Sequence, residues 1–372
     1  MLNIELRSEF NVQYSIFVTS GFKLVYNVKE DVMKILVTGG TGYIGSHTVV
    51  ELQDRGYEVV IVDDLSNSTV EVLDNIARIT GKKPVFEKFD LKDSERTASF
   101  FRVQNDIRGI IHFAASKAVG ESVDQPLKYY RNNLVSLINI LQGMLENNIR
   151  NIVFSSSCTV YGQPEKLPVK ESAPIRKAWS PYGNTKQISE EIILDTSKVT
   201  GIQAILLRYF NPIGAHDTAI IGELPLGVPN CLMPYITQTA IGKRPFLRVW
   251  GNDYNTPDGT AIRDYLHVVD LARAHVIAVE RMVGDRMKES VEVFNLGTGT
   301  GYSVMQVIRS FERSTGVKLN FRIMDRRPGD VEQVWADTEL ANRELGWKAE
   351  KTLDEMTGSA WKWEKALAGK GF

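Results

Sequence analysis

Between Lys34 and Tyr209, short apolar runs alternate with stretches whose apolar residues recur at helical spacing. KILVT (34–38) is the first run. Five more strands are predicted at 57–63 (YEVVIVD), 85–90, 109–114, 151–155 (NIVFS) and 203–209 (QAILLRY). The stretch 46–55, with Val49 and Leu52 on one face and Gly56 as a C-cap, predicts a helix. Another helix is predicted from near Tyr182 to before Gly201. Near-continuous apolar strands with helical crossovers imply a parallel sheet covered on both faces, so the fold class is α/β and doubly wound.

Past residue 210 the rhythm loosens. NPIGA, LPLGVPN and NDYNTPDG predict loops wrapped around a site rather than more sheet. Short elements are predicted at 291–296 and 319–323, and an amphipathic helix from Leu353 through Trp361 and Trp363. A length of 372 residues suits one large unit and a smaller one. The division expected is a nucleotide-binding domain over 33–210 and a smaller C-terminal α/β substrate domain over 211–372, with return segments to the first. Residues 1–32 read as an N-terminal extension. Their longest apolar stretch, IFV at 16–18, is too short for a secretory core of roughly 7–15 residues. Met33 directly precedes the first strong strand, so a start there is the expectation.

Composition narrows the function. Lys+Arg 44 against Asp+Glu 45 leaves a net charge of −1, which provides no basic field for nucleic acid. Cys158 and Cys231 stand far apart, against a disulfide framework or a zinc cluster, and fit a cytoplasmic setting. The five histidines form no HExxH pair, so no metal is expected. No apolar run approaches the ~18 residues of a membrane helix, so no membrane partner is expected.

GGTGYIG (39–45) matches GxGxxG from Gly40 and GxxGxxG from Gly39. Glycines there, Gly39, Gly42 and Gly45 among them, let the chain turn tightly and approach a pyrophosphate, while the following helix offers its N-terminal amides. The motif follows a predicted strand and opens a predicted helix. Asp63, at the end of the next strand, suits an adenosine ribose hydroxyl and would repel a 2′-phosphate, so NAD is favoured over NADP. Together these features predict a Rossmann-type sheet.

In SPYGNTK (180–186), Tyr182 and Lys186 are four residues apart and share a helical face. A nearby cation favours phenolate over phenol, so Lys186 could turn Tyr182 into a base. Two side chains that merely share a face is the alternative. Upstream, the fifth predicted strand runs into Ser155, Ser156 and Ser157, where a hydroxyl could relay a proton. Ligands of open α/β sheets bind beyond the carboxyl ends of strands, which is where these groups fall.

GGTGYIG, the strand-end Asp63, SSS before TVYG, and YxxxK together resemble the extended short-chain dehydrogenase/reductase superfamily. FAASKAVGESVDQPLKYY, SSSCTVYG, LLRYFNPIGAH, NCLMPY, WGNDYNTPDGTAIRDYLHVVDLA and RRPGDV resemble its UDP-glucose 4-epimerase family, from Met33 almost to the C-terminus. The resemblance implies reversible C4 epimerisation of UDP-glucose and UDP-galactose through a 4-keto intermediate, with transient reduction of bound NAD and with Tyr182, Lys186 and Ser157 catalytic. Related dehydratases and decarboxylases carry a carboxylate after the hydroxyl residue, whereas this chain has Cys158 and Thr159. Cofactor positions implied are Tyr43, Ile44, Asp63, Asp64, Leu65, Ser66, Asn67, Ser68, Asp90, Leu91, Phe113, Ala114, Ala115, Ser116, Lys117, Asn132 and Phe210. Substrate positions implied, besides Ser157 and Tyr182, are Asn211, Leu232, Arg248, Val249, Trp250, Arg263, Arg327 and Asp330, the arginines suiting a diphosphate. Two departures stand out. Cys231 replaces an asparagine usual in the family. Val334 stands where enzymes restricted to non-acetylated sugars carry a tyrosine, leaving room for the N-acetyl group of UDP-GlcNAc and UDP-GalNAc. A homodimer is implied by resemblance alone. The rival readings are another NAD-dependent nucleotide-sugar epimerase, a redox enzyme that releases NADH, and a non-catalytic NAD-binding regulator.

Overall fold

A computed structural model describes residues 32–327 and 331–369, and the backbone of 5–7, 12–17 and 25–30. At its centre lies a seven-stranded sheet: β1 (Lys34–Thr38), β2 (Glu58–Asp63), β3 (Val85–Lys88), β4 (Ile107–His112), β5 (Asn151–Ser157), β6 (Gln203–Tyr209) and β7 (Val291–Leu296). The order across the sheet is β7-β6-β5-β4-β1-β2-β3, and every neighbouring pair is parallel. The order reverses at β1, whose neighbours β2 and β4 leave a crevice at their carboxyl ends.

Alternation along each strand supplies two cores. Ile35 and Val37 of β1, Val59 and Ile61 of β2, and Ile205 and Leu207 of β6 face one apolar layer. Leu36, Val60, Val62, Ala204 and Leu206 face the other. The first layer is closed by helices Tyr43–Asp54, Glu71–Thr80 and Val268–Val283, the second by Ser94–Val103, Pro126–Glu146 and Pro181–Val199. Each large side chain buried this way contributes roughly 1.5–3 kcal/mol, so both faces must be covered for the sheet to persist.

KILVT and QAILLRY form strands over the residues predicted, as does 291–296. The first helix starts at Tyr43 rather than Ser46, because the glycine turn closes directly into it; Gly56 after it holds φ 86°. β5 continues two residues past its predicted end, to Ser157.

The loops expected over 211–260 need correction. Asn211–Ile213 and Leu247–Trp250 are strands, and Leu232–Ala240 is a helix. Leu247–Trp250 pairs with Phe321–Met324, and Asn211–Ile213 with Tyr265–His267. These strands and the helices Leu232–Ala240, Val304–Thr315 and Leu353–Gly369 enclose a third, smaller core. Segment 211–290 is therefore inserted between two adjacent strands of the central sheet, β6 and β7. Near the N-terminus, Glu5–Arg7, Val12–Phe17 and Val25–Glu30 pair antiparallel in a separate sheet.

Candidate active site

The tightest backbone in the crevice is the glycine turn. Gly39 holds φ +70°, and a Cβ there would lie 2.8 Å from Ala114 N; at Gly45 it would lie 2.2 Å from Gly39 O. Gly42 occupies the N-cap of the Tyr43–Asp54 helix, with no capping side chain over its first amides. A cradle that any side chain would fill, facing a helix N-terminus, fits the diphosphate of a dinucleotide.

Segment 63–68 wraps this turn. Asp63 Oδ2 accepts from Thr41 N at 3.2 Å and its Oδ1 from Leu65 N at 2.9 Å, while Thr41 Oγ1 and Ser68 Oγ lie 2.7 Å apart. Leu65 takes a left-handed φ of 61° to make the bend. Asp64 Oδ1 accepts from Ser66 N, and Asp64, Ser66 and Asn67 are exposed. Ile44 is half-buried against the first apolar layer. Asp90 accepts from Lys92 N at 2.9 Å; the Leu91 side chain is buried in the second layer.

The loop after β4 forms the opposite wall. Phe113 packs on His275 with ring centroids 4.6 Å apart, and Ala114 N reaches Thr38 Oγ1 at 3.4 Å. Ala115 is half-buried. Ser116 exchanges bonds with Asn133, whose Oδ1 accepts from Ser116 N at 2.8 Å and whose Nδ2 donates to Ser116 O at 3.1 Å. Asn132 Nδ2 also donates to Asn133 Oδ1. Lys117 pairs with Glu223 at 3.3 Å beside the Tyr43 ring, and Tyr43 donates its hydroxyl to Gly214 O at 2.6 Å, joining this wall to the inserted segment.

Ser180 Oγ accepts from Gly183 N and Pro181 begins the helix, which puts Tyr182 in the first turn. Ser157 Oγ accepts from Thr159 N at 3.2 Å, capping the 3₁₀ turn Cys158–Tyr161. Burial raises the Tyr182 phenol well above its ordinary range, Tyr209 adds to this, and a hydrogen bond with Ser157 opposes it. Lys186 Nζ lies 6.0 Å from the Tyr182 ring centroid and donates to Ser155 O at 2.6 Å. Burial lowers that ammonium to about 8, opposed by Glu190. Desolvation of the ring therefore dominates at Tyr182, while the Lys186 ammonium is held at the strand carbonyl.

On the inserted side, Arg263 and Val334 are direct register partners of a parallel pair. Phe210, Val334 and Cys158 share one small apolar cluster next to Ser157. Asn211 N donates to Asp264 O at 2.9 Å. The Arg327 guanidinium lies 5.0 Å from the Trp250 ring, and Arg248 is exposed on the same strand. Val249, between them, is only 1 % exposed: strand alternation turns its side chain into the third core and leaves its main chain between Arg248 and Trp250. Leu232 opens the Leu232–Ala240 helix, half-buried, and Cys231 before it is exposed. Asp330 lies outside the described residues.

Several polar groups that organise the site carry no local sequence signal. Asn133 ties the Ser116 loop to Thr185, which bonds Tyr182 O. Asp264 accepts from Thr298 N, Gly299 N and Ala336 N, fixing the strand that carries Arg263. Glu190 and Arg208 form a buried pair under β5. Among the described residues, no His/Cys/Asp/Glu group could hold a metal, and no helix is long and apolar enough to cross a membrane.

A glycine cradle at the switch point, with serine, tyrosine and lysine gathered beyond β5, defines an extended short-chain dehydrogenase/reductase. The GDP-mannose 4,6 dehydratase family profile matches residues 36–359. The UDP-glucose 4-epimerase of Bacillus subtilis is 50% identical over 335 residues, 90% of this chain and 97% of that protein. A solved Stenotrophomonas maltophila UDP-glucose-4-epimerase, with bound NAD and formylated UDP-arabinopyranose, is 47% identical at a TM-score of 0.87, over 91% of this chain and 99% of that one. The Bifidobacterium longum UDP-glucose 4-epimerase, in complex with NAD+ and UDP, is 44% identical at a TM-score of 0.86, over 91% and 100%. The chain belongs to the UDP-glucose 4-epimerases of this family.

Proposed function

We propose that this protein interconverts UDP-glucose and UDP-galactose by reversible epimerisation at C4, using a retained NAD. The observation that carries the reading is the gathering of Ser157, Tyr182 and Lys186 at the carboxyl end of β5, the end of the sheet that carries the glycine cradle, with Cys158 and Thr159 following Ser157 where further chemistry would need a carboxylate.

The dinucleotide is held by Gly39, Gly42 and Gly45, by segment 63–68 and by the loop 113–117. When bound it supplies a reversible hydride acceptor. Tyr182 takes the proton from the sugar O4 and returns it after the keto sugar has turned over in the pocket. Ser157 holds that oxygen and favours the phenolate of Tyr182. Burial holds the phenol high, so Tyr182 would need positive charge nearby to act as a base, which Lys186 and an oxidised cofactor ring would supply. Arg263 and Arg327 suit the diphosphate of the substrate. We place the dinucleotide on 33–210 and the nucleotide sugar on 211–372; free Cys158 and Cys231 suit a cytoplasmic protein.

Replacing Tyr182 with Phe should cut turnover of UDP-galactose by about 10²- to 10⁴-fold while NAD stays bound. Unchanged turnover would remove Tyr182 from the mechanism, and NADH accumulating during the reaction would favour the redox enzyme. Val334, only 9 % exposed and opposite Arg263, presents no ring to the pocket, so UDP-GlcNAc should be converted to UDP-GalNAc, and Val334→Tyr should suppress that conversion selectively. No UDP-GalNAc from the unmodified protein would restrict it to non-acetylated sugars.

A further inference from the structure

Tyr182, Lys186 and Glu190 follow one another at intervals of four on the Pro181–Val199 helix, so the third shares the face of the first two. Glu190 is 4 % exposed, Lys186 4 % and Arg208 7 %. The Glu190 carboxylate accepts from Ser156 Oγ at 2.5 Å and grips Arg208 with both oxygens, Nε at 2.9 Å and Nη2 at 2.6 Å. Ser156 lies between the two residues the chemistry needs: Ser155, whose carbonyl receives the Lys186 ammonium, and Ser157, whose hydroxyl ends the strand and caps the following 3₁₀ turn. Arg208 continues to Tyr161 at 3.1 Å, and Tyr161 to Asn295 Oδ1 at 2.7 Å, anchoring the carboxylate in the sheet.

We propose that Glu190 is a positioning residue of the epimerisation: through Ser156 it fixes the end of β5, and it is the buried counter-charge that keeps Lys186 an ammonium. The proposal rests on the roles given to Tyr182 and Lys186 above. The other charged and titratable groups around this corner are Tyr182 on the same helix, His112 at the end of β4, and Tyr209 and Arg208 on β6. His112 is held neutral by burial, so it does not compete for the carboxylate. Burial draws the ammonium down and the Glu190 carboxylate opposes it.

Two substitutions separate this role from mere support of the fold. Glu190→Gln keeps the shape and removes the charge. Arg208→Lys disturbs the same buried pair by losing the bidentate fork but changes no charge. The readouts are the pH profile of kcat and the titration of the Lys186 Cε resonance in isotopically labelled protein. In Glu190→Gln, both the alkaline limb and the titration should move down by about one pH unit, the effect of removing one close opposite charge. In Arg208→Lys both should stay in place. Equal shifts in the two variants, or no shift in Glu190→Gln, would overturn the proposal. Should Glu190→Gln fail to fold, Glu190→Asp, which withdraws the carboxylate by one methylene, should move the titration in the same direction by less, and an unmoved titration overturns the idea. The resonance reports on Lys186 whether or not the protein epimerises, so failure here is distinguishable from failure of the proposed reaction.

Discussion

Gly45 offers a direct test of the cradle. In the Gly45→Ala variant the added methyl would lie 2.2 Å from Gly39 O and 2.8 Å from Gly40 Cα, both main-chain atoms with no rotamer to change. Comfortable carbon contacts begin near about 3.5 Å, so the turn and the helix must separate. The Gly39 carbonyl accepts from Gly42 N at 3.1 Å, so displacing it loosens the bend that faces the diphosphate. Overpacking of this kind costs roughly 1–3 kcal/mol. If that cost falls on the binding-competent turn, the Kd for NAD+ rises about 5- to 150-fold at 1.4 kcal/mol per tenfold. The assay is calorimetric titration of NAD+ into cofactor-stripped protein, together with the NAD content of the purified variant. Gly358→Ala is the control. No atom lies within 4 Å of its added Cβ, within the Leu353–Gly369 helix, so it should bind normally and gain up to about 1 kcal/mol of stability. Gly45→Ala binding NAD+ within twofold of the unmodified protein would refute the steric reasoning.

Asn133→Ala removes the bonds to Ser116 and Thr185 and should cost about 1–3 kcal/mol in urea unfolding, with a fall in kcat as the Ser116 loop loosens; a stability change near zero would show that water replaces the amide. His47 and His112 are held neutral by burial, with ionisation pulled down to about 3 from an ordinary 6.5. Below that ordinary value the unfolded chain takes up protons that the folded protein refuses, so this contribution is whole above 6.5 and is lost as pH falls toward 3. At pH 5 the loss is about 2 kcal/mol per histidine. His47→Gln should reduce the difference in unfolding free energy between pH 7.5 and 5 by that amount, and an undiminished difference would count against the assignment.

What could be read along the chain follows the range of the forces involved. β1 and β6 announce themselves because both faces are buried, so residues 35–37 and 204–207 form unbroken apolar runs between polar ends. Tyr182 and Lys186 are legible because their relation is local, one helical turn. The Leu232–Ala240 helix was hidden by its nine residues and Pro234, and Leu247–Trp250 by a partner strand more than seventy positions downstream. Asn133, Asp264, Glu190 and Arg208 were invisible for a different reason: a buried polar side chain has meaning only once its partners arrive from other elements. The orientation of Lys186 toward Ser155 O belongs to the same class, since it depends on where β5 ends.

The placement of β7 beside β6 also constrains how the molecule can come apart. The inserted segment 211–290 is attached to the sheet at both its beginning and its end, so it behaves as a flap sewn along two seams rather than a bead on a string. Cutting the chain after Phe210 would leave the outer edge of β6, with six paired positions stripped bare, open to any passing strand. Excising 211–290 would fare no better, because it removes the helix Val268–Val283 that covers the first apolar layer, and a short joiner cannot run from the end of β6 back to the start of its parallel neighbour β7. For truncation, the apparent boundary at residue 210 is therefore a poor place to stop, because β7 lies beyond it.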